Sequence, residues 1–257
     1  MMQRILSIVF LLFVTAALRA QPDSSFHLYL LIGQSNMAGR GEISLSYQSI
    51  QYSNIFVLNK ENNWVPAKHP LHFDKPKVAG VGPGMAFAIS MSEAAPGVKI
   101  GLVPCSVGGT SIQVWVPAGY DNSTKTHPYD DALVRIKQAM KAGVFKGVIW
   151  HQGEADSNPK SATEYLRNLE ALVARLRFEI GNNSLPFVAG ELGNFRPQYQ
   201  IINDQLQKLP DVVKNSALAT SQNLTHKGDA THFDSRSADE LGRRMAEKMK
   251  VLQSSRF

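Results

Sequence analysis

Short apolar runs recur along this chain of 257 residues at intervals filled by amphipathic stretches, and that alternation restricts the fold more than any other feature. FHLYLLI at 26–32 is apolar on nearly every consecutive position, the pattern of a strand buried on both faces of a parallel sheet. Similar runs follow as IFVL at 55–58, VKIGLVP at 98–104, FKGVIW at 145–150, PFVAGEL at 186–192 and SALATS at 216–221. The clearest helical pattern between them spans Ser161 to Ile180. There Ala162, Tyr165, Leu166, Leu169, Leu172, Val173, Leu176 and Ile180 share one face, and Gly181 offers a stop. A second stripe, Ala238, Leu241, Met245, Met249 and Leu252, makes the C-terminal stretch an amphipathic helix. Strand alternating with helix predicts one doubly wound α/β domain over residues 21–257 with a mainly parallel sheet, since neither a repeat nor a long linker divides the chain. In such sheets the chemistry collects at the carboxyl ends of the strands.

Residues 1–20, MMQRILSIVFLLFVTAALRA, read differently. A start carrying Arg4, a short apolar centre and a small residue before the polar QPDSS are the anatomy of a secretory signal peptide, with Ala20 as the expected cleavage point and Ala16 or Ala17 as alternatives. The apolar stretch is short for a membrane span, the competing reading being a retained anchor helix. The expected destination is secreted or periplasmic, with no stable membrane insertion after cleavage. Removing Arg4 and Arg19 with the leader lowers the formal charge from +6 to +4. The remaining Lys and Arg are scattered, which argues against a nucleic-acid partner. Cys105 has no partner, so neither an intramolecular disulfide nor a Cys-rich zinc module is available. Asn122, Asn182 and Asn223 begin N-x-Ser/Thr sequons.

Several strand ends carry unusual residues. The first runs into Gly33, Gln34, Ser35, Asn36, Met37, Ala38 and Gly39, where a serine at a strand-to-helix turn is either an exposed nucleophile or a helix N-cap. The G-x-S-x-G elbow is absent. Far along the chain, Asp229 and His232 can supply a base and the carboxylate that orients it, or form an ordinary solvated loop; His226 is a rival base. Metal readings would gather His226, Asp229, His232 and Asp234, or His69, His72 and Asp74, although neither set has a recognised ligand spacing. The strand at 145–150 opens into His151, Gln152, Gly153, Glu154, Ala155 and Asp156. Here Gln152 can donate to a developing oxyanion, and Glu154 with Asp156 form either a glycosidase-type acid/base pair or a hydrogen-bonded framework. After the strand at 98–104, Gly108 and Gly109 permit a close backbone approach or a tight turn. Cys105 there reads as a buried filler. Trp64 and Trp115 can stack on sugar rings or fill the core, and Arg196 is a surface residue or a contact for a substrate carboxylate.

Taken together, GQSNMAG at 33–39, GGTSI at 108–112 with Trp115 following, WHQGEAD at 150–156 and D-x-x-H-F at 229–233 resemble the ordered blocks of the SGNH (GDSL-like) hydrolase superfamily. The likeness is greatest to its carbohydrate esterase family 6 and sialate O-acetylesterase-like branch. That resemblance implies a three-layer, flavodoxin-like fold and a secreted carbohydrate O-acetylesterase acting on acetylated oligo- or polysaccharide without a cofactor or metal. It makes Ser35 the nucleophile, His232 the base and Asp229 its carboxylate. The oxyanion donors it implies are the Ser35 N–H, the N–H of Gly108 or Gly109, and the Gln152 side chain, where the wider superfamily commonly has asparagine. Gln34, Asn36 and Glu154 are then supporting residues. The alternatives are a catalytically silent carbohydrate-binding protein, a surface scaffold, or an aryl or lipid esterase on the same fold.

Overall fold

A computed structural model describes residues 21–254, so the signal-peptide reading of 1–20 lies outside the described residues. In chain order the elements are β1 (Asp23–Gly33), α1 (Ser35–Ala38), α2 (Leu45–Gln48), β2 (Ile55–Leu58), β3 (Trp64–Pro66), α3 (Gly84–Ala94) and β4 (Lys99–Pro104). They continue with α4 (Pro128–Ala139), β5 (Gly143–His151), α5 (Pro159–Ile180), β6 (Phe187–Gly190), α6 (Gln200–Leu206), α7 (Leu209–Val212), β7 (Ser216–Ala219) and α8 (Ser235–Ser254). The seven strands form one sheet in the order β3-β2-β4-β1-β5-β6-β7. All pairings are parallel except that of β2 with the edge strand β3.

Pleating sends alternate residues of the central strand to opposite faces. Leu28, Leu30 and Ile32 join the core beneath α4, α5 and α6, while Tyr29 and Leu31 join the core beneath α3 and α8. The four aliphatic residues Leu28, Leu30, Leu31 and Ile32 are each 0% exposed. Burial of such side chains contributes about 1.5–3 kcal/mol apiece, so the strand that carries the Ser35 turn is anchored on both sides.

Helix α5 stops where the pattern requires. Gly181 adopts φ 75 and its N–H caps the last turn, while Pro159 at the first position and the Asn158 side chain, accepting from the Ser161 N–H, start it two residues before the expected Ser161. The run at 186–192 is shorter as a strand than expected. Its last two residues lie past the strand's end: the Glu191 N–H still donates to the Ala219 carbonyl while its carboxylate accepts from the Thr220 hydroxyl and the Ser221 N–H, and the Leu192 N–H donates to Asn203 Oδ1.

The strand order places function. Chain connections from β1 and β4 leave to opposite sides of the sheet, so the crevice where the order reverses lies beside β1. Its neighbours there are β4 and β5, which means that three of the four sequence blocks open side by side at one edge.

Candidate active site

Gly33 ends β1 with φ +134, and a Cβ at that position would fall 2.0 Å from the His151 carbonyl oxygen. Only glycine lets β1 and β5 close at this point. The Gln34 N–H then donates to that same carbonyl at 2.9 Å, the chain turns, and Ser35 opens the single-turn helix α1. The turn is closed by Gly39, φ +92, whose N–H donates to the Ser35 carbonyl. Among the described residues no group accepts from the Ser35 N–H. Nor does Ser35 act as a side-chain cap, since α1 has none.

The loop before α8 comes to this turn from the far end of the chain. Ser35 Oγ lies 3.0 Å from His232 Nε2, and His232 Nδ1 lies 2.7 Å from Asp229 Oδ2. Asp229 Oδ1 accepts from the N–H groups of Thr231 and His232 at 2.9 and 2.8 Å. Partial burial opposes ionisation of Asp229, but these N–H groups and the imidazole outweigh it and hold the carboxyl far below its ordinary range. An ionised Asp229 requires the proton on Nδ1, which leaves the Nε2 lone pair facing the Ser35 hydroxyl. Ser35, His232 and Asp229 are therefore brought together in donor-acceptor sequence.

His226 is turned to its own loop rather than to Ser35. Its Nδ1 accepts from the Gly228 and Ala230 N–H groups at 2.9 and 3.2 Å, stiffening a loop in which Gly228 and Ala230 have φ 112 and 52. Asp234 accepts from Thr225 Oγ1 and the Ser237 N–H, where it starts α8. Among the described residues, no group of three or more His, Cys, Asp or Glu is placed to hold a metal ion.

Asn36 fastens the histidine loop to the serine turn. Its Oδ1 accepts from the Phe233 N–H at 3.0 Å, and its Nδ2 donates to the Thr231 carbonyl at 3.0 Å and to Glu154 Oε1. Both neighbours of His232 are thus gripped by the residue that follows Ser35. At about 1 kcal/mol net per hydrogen bond, Asn36→Ala should forfeit roughly 2–3 kcal/mol of this positioning. The expected result is Ser35 labelling by a fluorophosphonate slowed by about tenfold or more in a protein that still melts cooperatively; unaltered labelling would contradict the role.

Glu154 and Asp156 are each hydrogen-bonded to neighbouring blocks. Asp156, 0% exposed, accepts from the Ser111 hydroxyl, the Ile112 N–H and Gln152 Nε2, tying the β4 block to the β5 block. Glu154 faces Asn36 on one side and His151 Nδ1 at 3.7 Å on the other. Burial pushes the pKa of His151 down, and the ring bonds the Glu191 carbonyl through Nε2.

Two expected oxyanion donors are engaged elsewhere. Gln152 is 0% exposed, and its amide NH₂ faces Gln34 Oε1, the Thr110 carbonyl and Asp156 Oδ2 at 3.2, 3.0 and 2.5 Å. The cause is the carboxylate four residues on, a stronger acceptor than any neutral group nearby. Gln34 Oε1 also accepts from the Gly153 and Ala155 N–H groups, so Gln34 and Gln152 lock the two turns together. The Gly108 N–H donates to Asp74 Oδ2 at 2.9 Å, whereas Gly109, φ +91, has an N–H with no acceptor among the described residues.

Asp74 and Arg40 carry no signal in the sequence that marks them as partners. They form a 2.7 Å ion pair with both side chains 4% exposed. Burial opposes ionisation of Asp74, but the Arg40 guanidinium, the Gly108 N–H and His72 outweigh it and keep the carboxyl below its ordinary range. Other expectations resolve structurally. Trp115 is 1% exposed, edge-on to Trp150, and donates to Thr110 Oγ1; Trp64 packs on Phe26 from the edge strand. Trp115 therefore has no free stacking face, whereas Trp64 is half-buried at the sheet edge. Arg196 donates to the Ala230 carbonyl and Thr231 Oγ1, both at 2.9 Å, and so braces the histidine loop. Burial raises the Cys105 thiol to about 11, consistent with an inert filler.

The chain and its fold have relatives. The chain is 30% identical over 239 residues, 86% of its length and 88% of the relative's, to a probable carbohydrate esterase of Arabidopsis thaliana. A solved structure of an Arabidopsis thaliana protein superposes with a TM-score of 0.79 at 30% identity, covering 88% of this chain and 98% of that one. The fold is shared at lower identity with NanS, TM-score 0.72 at 19% over 92% and 99% of the two chains. It is also shared with a carbohydrate acetylesterase from Xanthomonas citri, TM-score 0.70 at 20% over 89% and 57%. The profile described as carbohydrate esterase, sialic acid-specific acetylesterase matches residues 25–251, nearly the whole described chain. With the α/β sheet and the block-bearing strand ends in place, that match establishes that the chain belongs to this family of carbohydrate esterases, related to the SGNH hydrolases.

Proposed function

We propose that the protein removes acetyl groups from carbohydrate through an acetyl-enzyme formed on Ser35. The observation that carries this reading is the sequence Ser35 Oγ, His232 Nε2, His232 Nδ1, Asp229 Oδ2 at 3.0 and 2.7 Å. As Ser35 Oγ attacks the ester carbonyl carbon, its proton passes to His232 Nε2, and Asp229 stabilises the imidazolium that results. The carbonyl oxygen, now negative, is received by the Ser35 N–H and, from across the glycine turn, by the Gly109 N–H, two donors that meet no acceptor among the described residues. Collapse breaks the bond to the sugar oxygen, which leaves with the proton from His232. Water then attacks the acetyl-Ser35 carbonyl by the same route, giving acetate and the free serine. The Ser35 proton departs on the sugar oxygen and is replaced, through His232, by one from the attacking water, and no step needs a redox partner.

Gln34, Gln152, Asn36, Glu154 and Arg196 act through the positions of Ser35 and His232, not on the ester. The leader-like residues 1–20 support export, so the working enzyme is read as residues 21 onward outside the cytosol. No helix among the described residues is long and apolar enough to cross a membrane.

The test combines covalent labelling with product release. A fluorophosphonate should label Ser35 stoichiometrically, and acetate should be released from at least one of acetylated xylan, acetylated pectin fragments and O-acetylated sialic acid. Absence of labelling in folded protein would leave a binding protein on an esterase fold, and faster hydrolysis of long-chain than of acetyl esters would replace carbohydrate with lipid.

A further inference from the structure

Across the Gly108–Gly109 turn from Ser35 lies a cavity of about 530 Å³ that includes none of Ser35, Asp229 and His232 in its walls. The partition between the two is thin. A Cβ on Gly108 would stand 3.4 Å from the Ser35 Cβ and 2.9 Å from Asp74 Oδ2, and Asp74 is part of the cavity wall. A Cβ on Gly109 would lie 3.9 Å from Lys75 Nζ, so the Lys75 ammonium overhangs the turn at the cavity's edge.

The charges in this wall do not balance locally. Lys60, Lys75 and Arg135 face Asp74 and Asp131. Asp74 is already neutralised by Arg40, which stands outside the lining. Arg135 is 8% exposed, yet the oxygen acceptors of its guanidinium are all neutral: the Leu58, Asn59 and Pro104 carbonyls and Asn62 Oδ1. Among the described residues Lys60 and Lys75 enter no ion pair. A buried cation surrounded by carbonyls, with two unpaired ammonium groups at the rim, gives a positive potential that low-dielectric walls concentrate.

The rest of the lining suits a sugar ring. Phe73 and Val107 provide apolar surface beside the hydroxyls of Thr124 and Thr126. His72, 4% exposed, donates one ring N–H to the Leu31 carbonyl and keeps Nε2 without a partner, buried behind the wall rather than open to the cavity. We infer that this cavity is a glycan subsite for a sugar residue bearing a carboxylate, the residue adjoining the one whose acetyl ester meets Ser35. The placement relative to the ester rests on the esterase reading above; the preference for an acidic sugar does not.

Binding without turnover separates the two. The wild-type protein is titrated with unacetylated trigalacturonate and with neutral galactotriose at low salt, followed by the Lys60→Gln, Lys75→Gln and double variants. The acidic trimer should bind about tenfold more tightly than the neutral one, each lysine contributing up to about fivefold, and added salt should erase the difference. Equal affinity for the two trimers, or variants indistinguishable from wild type, would overturn the subsite. Placement is then read from kinetics. On acetylated oligosaccharides with and without a neighbouring uronic acid, the double variant should lose the acidic substrate's advantage through KM, with kcat little changed. If instead an acetylated monosaccharide bearing its own carboxylate shows the same dependence on the lysines, the carboxylate sits on the acetylated sugar itself and the adjoining-residue placement is wrong. Failure of wild-type protein to hydrolyse 4-nitrophenyl acetate would defeat the esterase reading, while the titration would still decide the cavity.

Discussion

Ser35→Ala should lower kcat on an acetyl ester by about 10⁵- to 10⁶-fold, and Asp229→Asn by about 10⁴-fold, with melting temperatures close to wild type in both. The serine substitution removes the oxygen that lies opposite His232 Nε2, on which the proposed acetyl-enzyme would form. The aspartate substitution works through the tautomer. An asparagine amide at this position can present its NH₂ to Nδ1, which moves the ring proton to Nε2 and turns a donor toward the Ser35 hydroxyl. The amide keeps a carbonyl oxygen for the N–H groups of Thr231 and His232 that now bind Asp229 Oδ1, so the loop survives while the chemistry does not. The combined variant should be no slower than Ser35→Ala alone, because groups that act as a unit are lost together. Steady-state kinetics on 4-nitrophenyl acetate with parallel thermal melts checks this, and near-wild-type turnover by Ser35→Ala would remove Ser35 from the mechanism.

The second large effect falls on stability. Asp74→Asn leaves the Arg40 guanidinium, buried at 4% side-chain exposure, with the Gly39 carbonyl but no carboxylate. Breaking one side of a buried pair costs about 3–5 kcal/mol, equivalent to a fall in Tm of roughly 6–20 °C for a domain of this size. Replacing both partners, Arg40→Met with Asp74→Leu, should be less damaging than either single change, since no buried charge is stranded. The pair also has a pH signature. Because the Asp74 carboxyl ionises more readily folded than unfolded, its contribution is complete above the ordinary carboxylate range and is lost as acid carries the pH down through the folded value. The Asp74→Asn protein should therefore show a shallower loss of Tm between pH 7 and the acid limb than wild type does. Equal acid sensitivity in both proteins would show that other carboxylates govern it.

What the sequence exposes and what it conceals follow from burial. Strands such as β1 and β5 announce themselves because both of their faces are covered and nearly every position is apolar. Edge strand β3 does not: it is three residues long and includes Pro66 and the half-buried Trp64, so no run forms. Helix α3 shows no single stripe, since Met85, Ala86, Phe87, Ala88 and Met91 are all buried as it packs between the sheet and α8. Three of the four blocks are legible because their polar residues interrupt apolar strands at the end where a site belongs, and the fourth because its Asp and His stand just before the C-terminal helix. The Arg40–Asp74 pair is not, because two charged residues 34 positions apart look like surface until folding closes them over Gly108. Gln152 illustrates the remaining gap. Its residue type permits oxyanion donation, and only the position of Asp156 shows where its hydrogens go.

The position of β1 also bears on when the molecule can form. It is the first strand in the chain and the middle strand of the sheet, with Leu30 opposite Val103 on one side and Val148 on the other. A chain emerging N-terminus first therefore offers this strand no parallel partner until β4 has been made, and the second only after β5. Contacts so distant in sequence must close large loops before they return any stabilisation, which slows folding and keeps the early chain open. The serine turn, which stands at the end of this strand against the His151 carbonyl, therefore cannot be completed before β5 has been made.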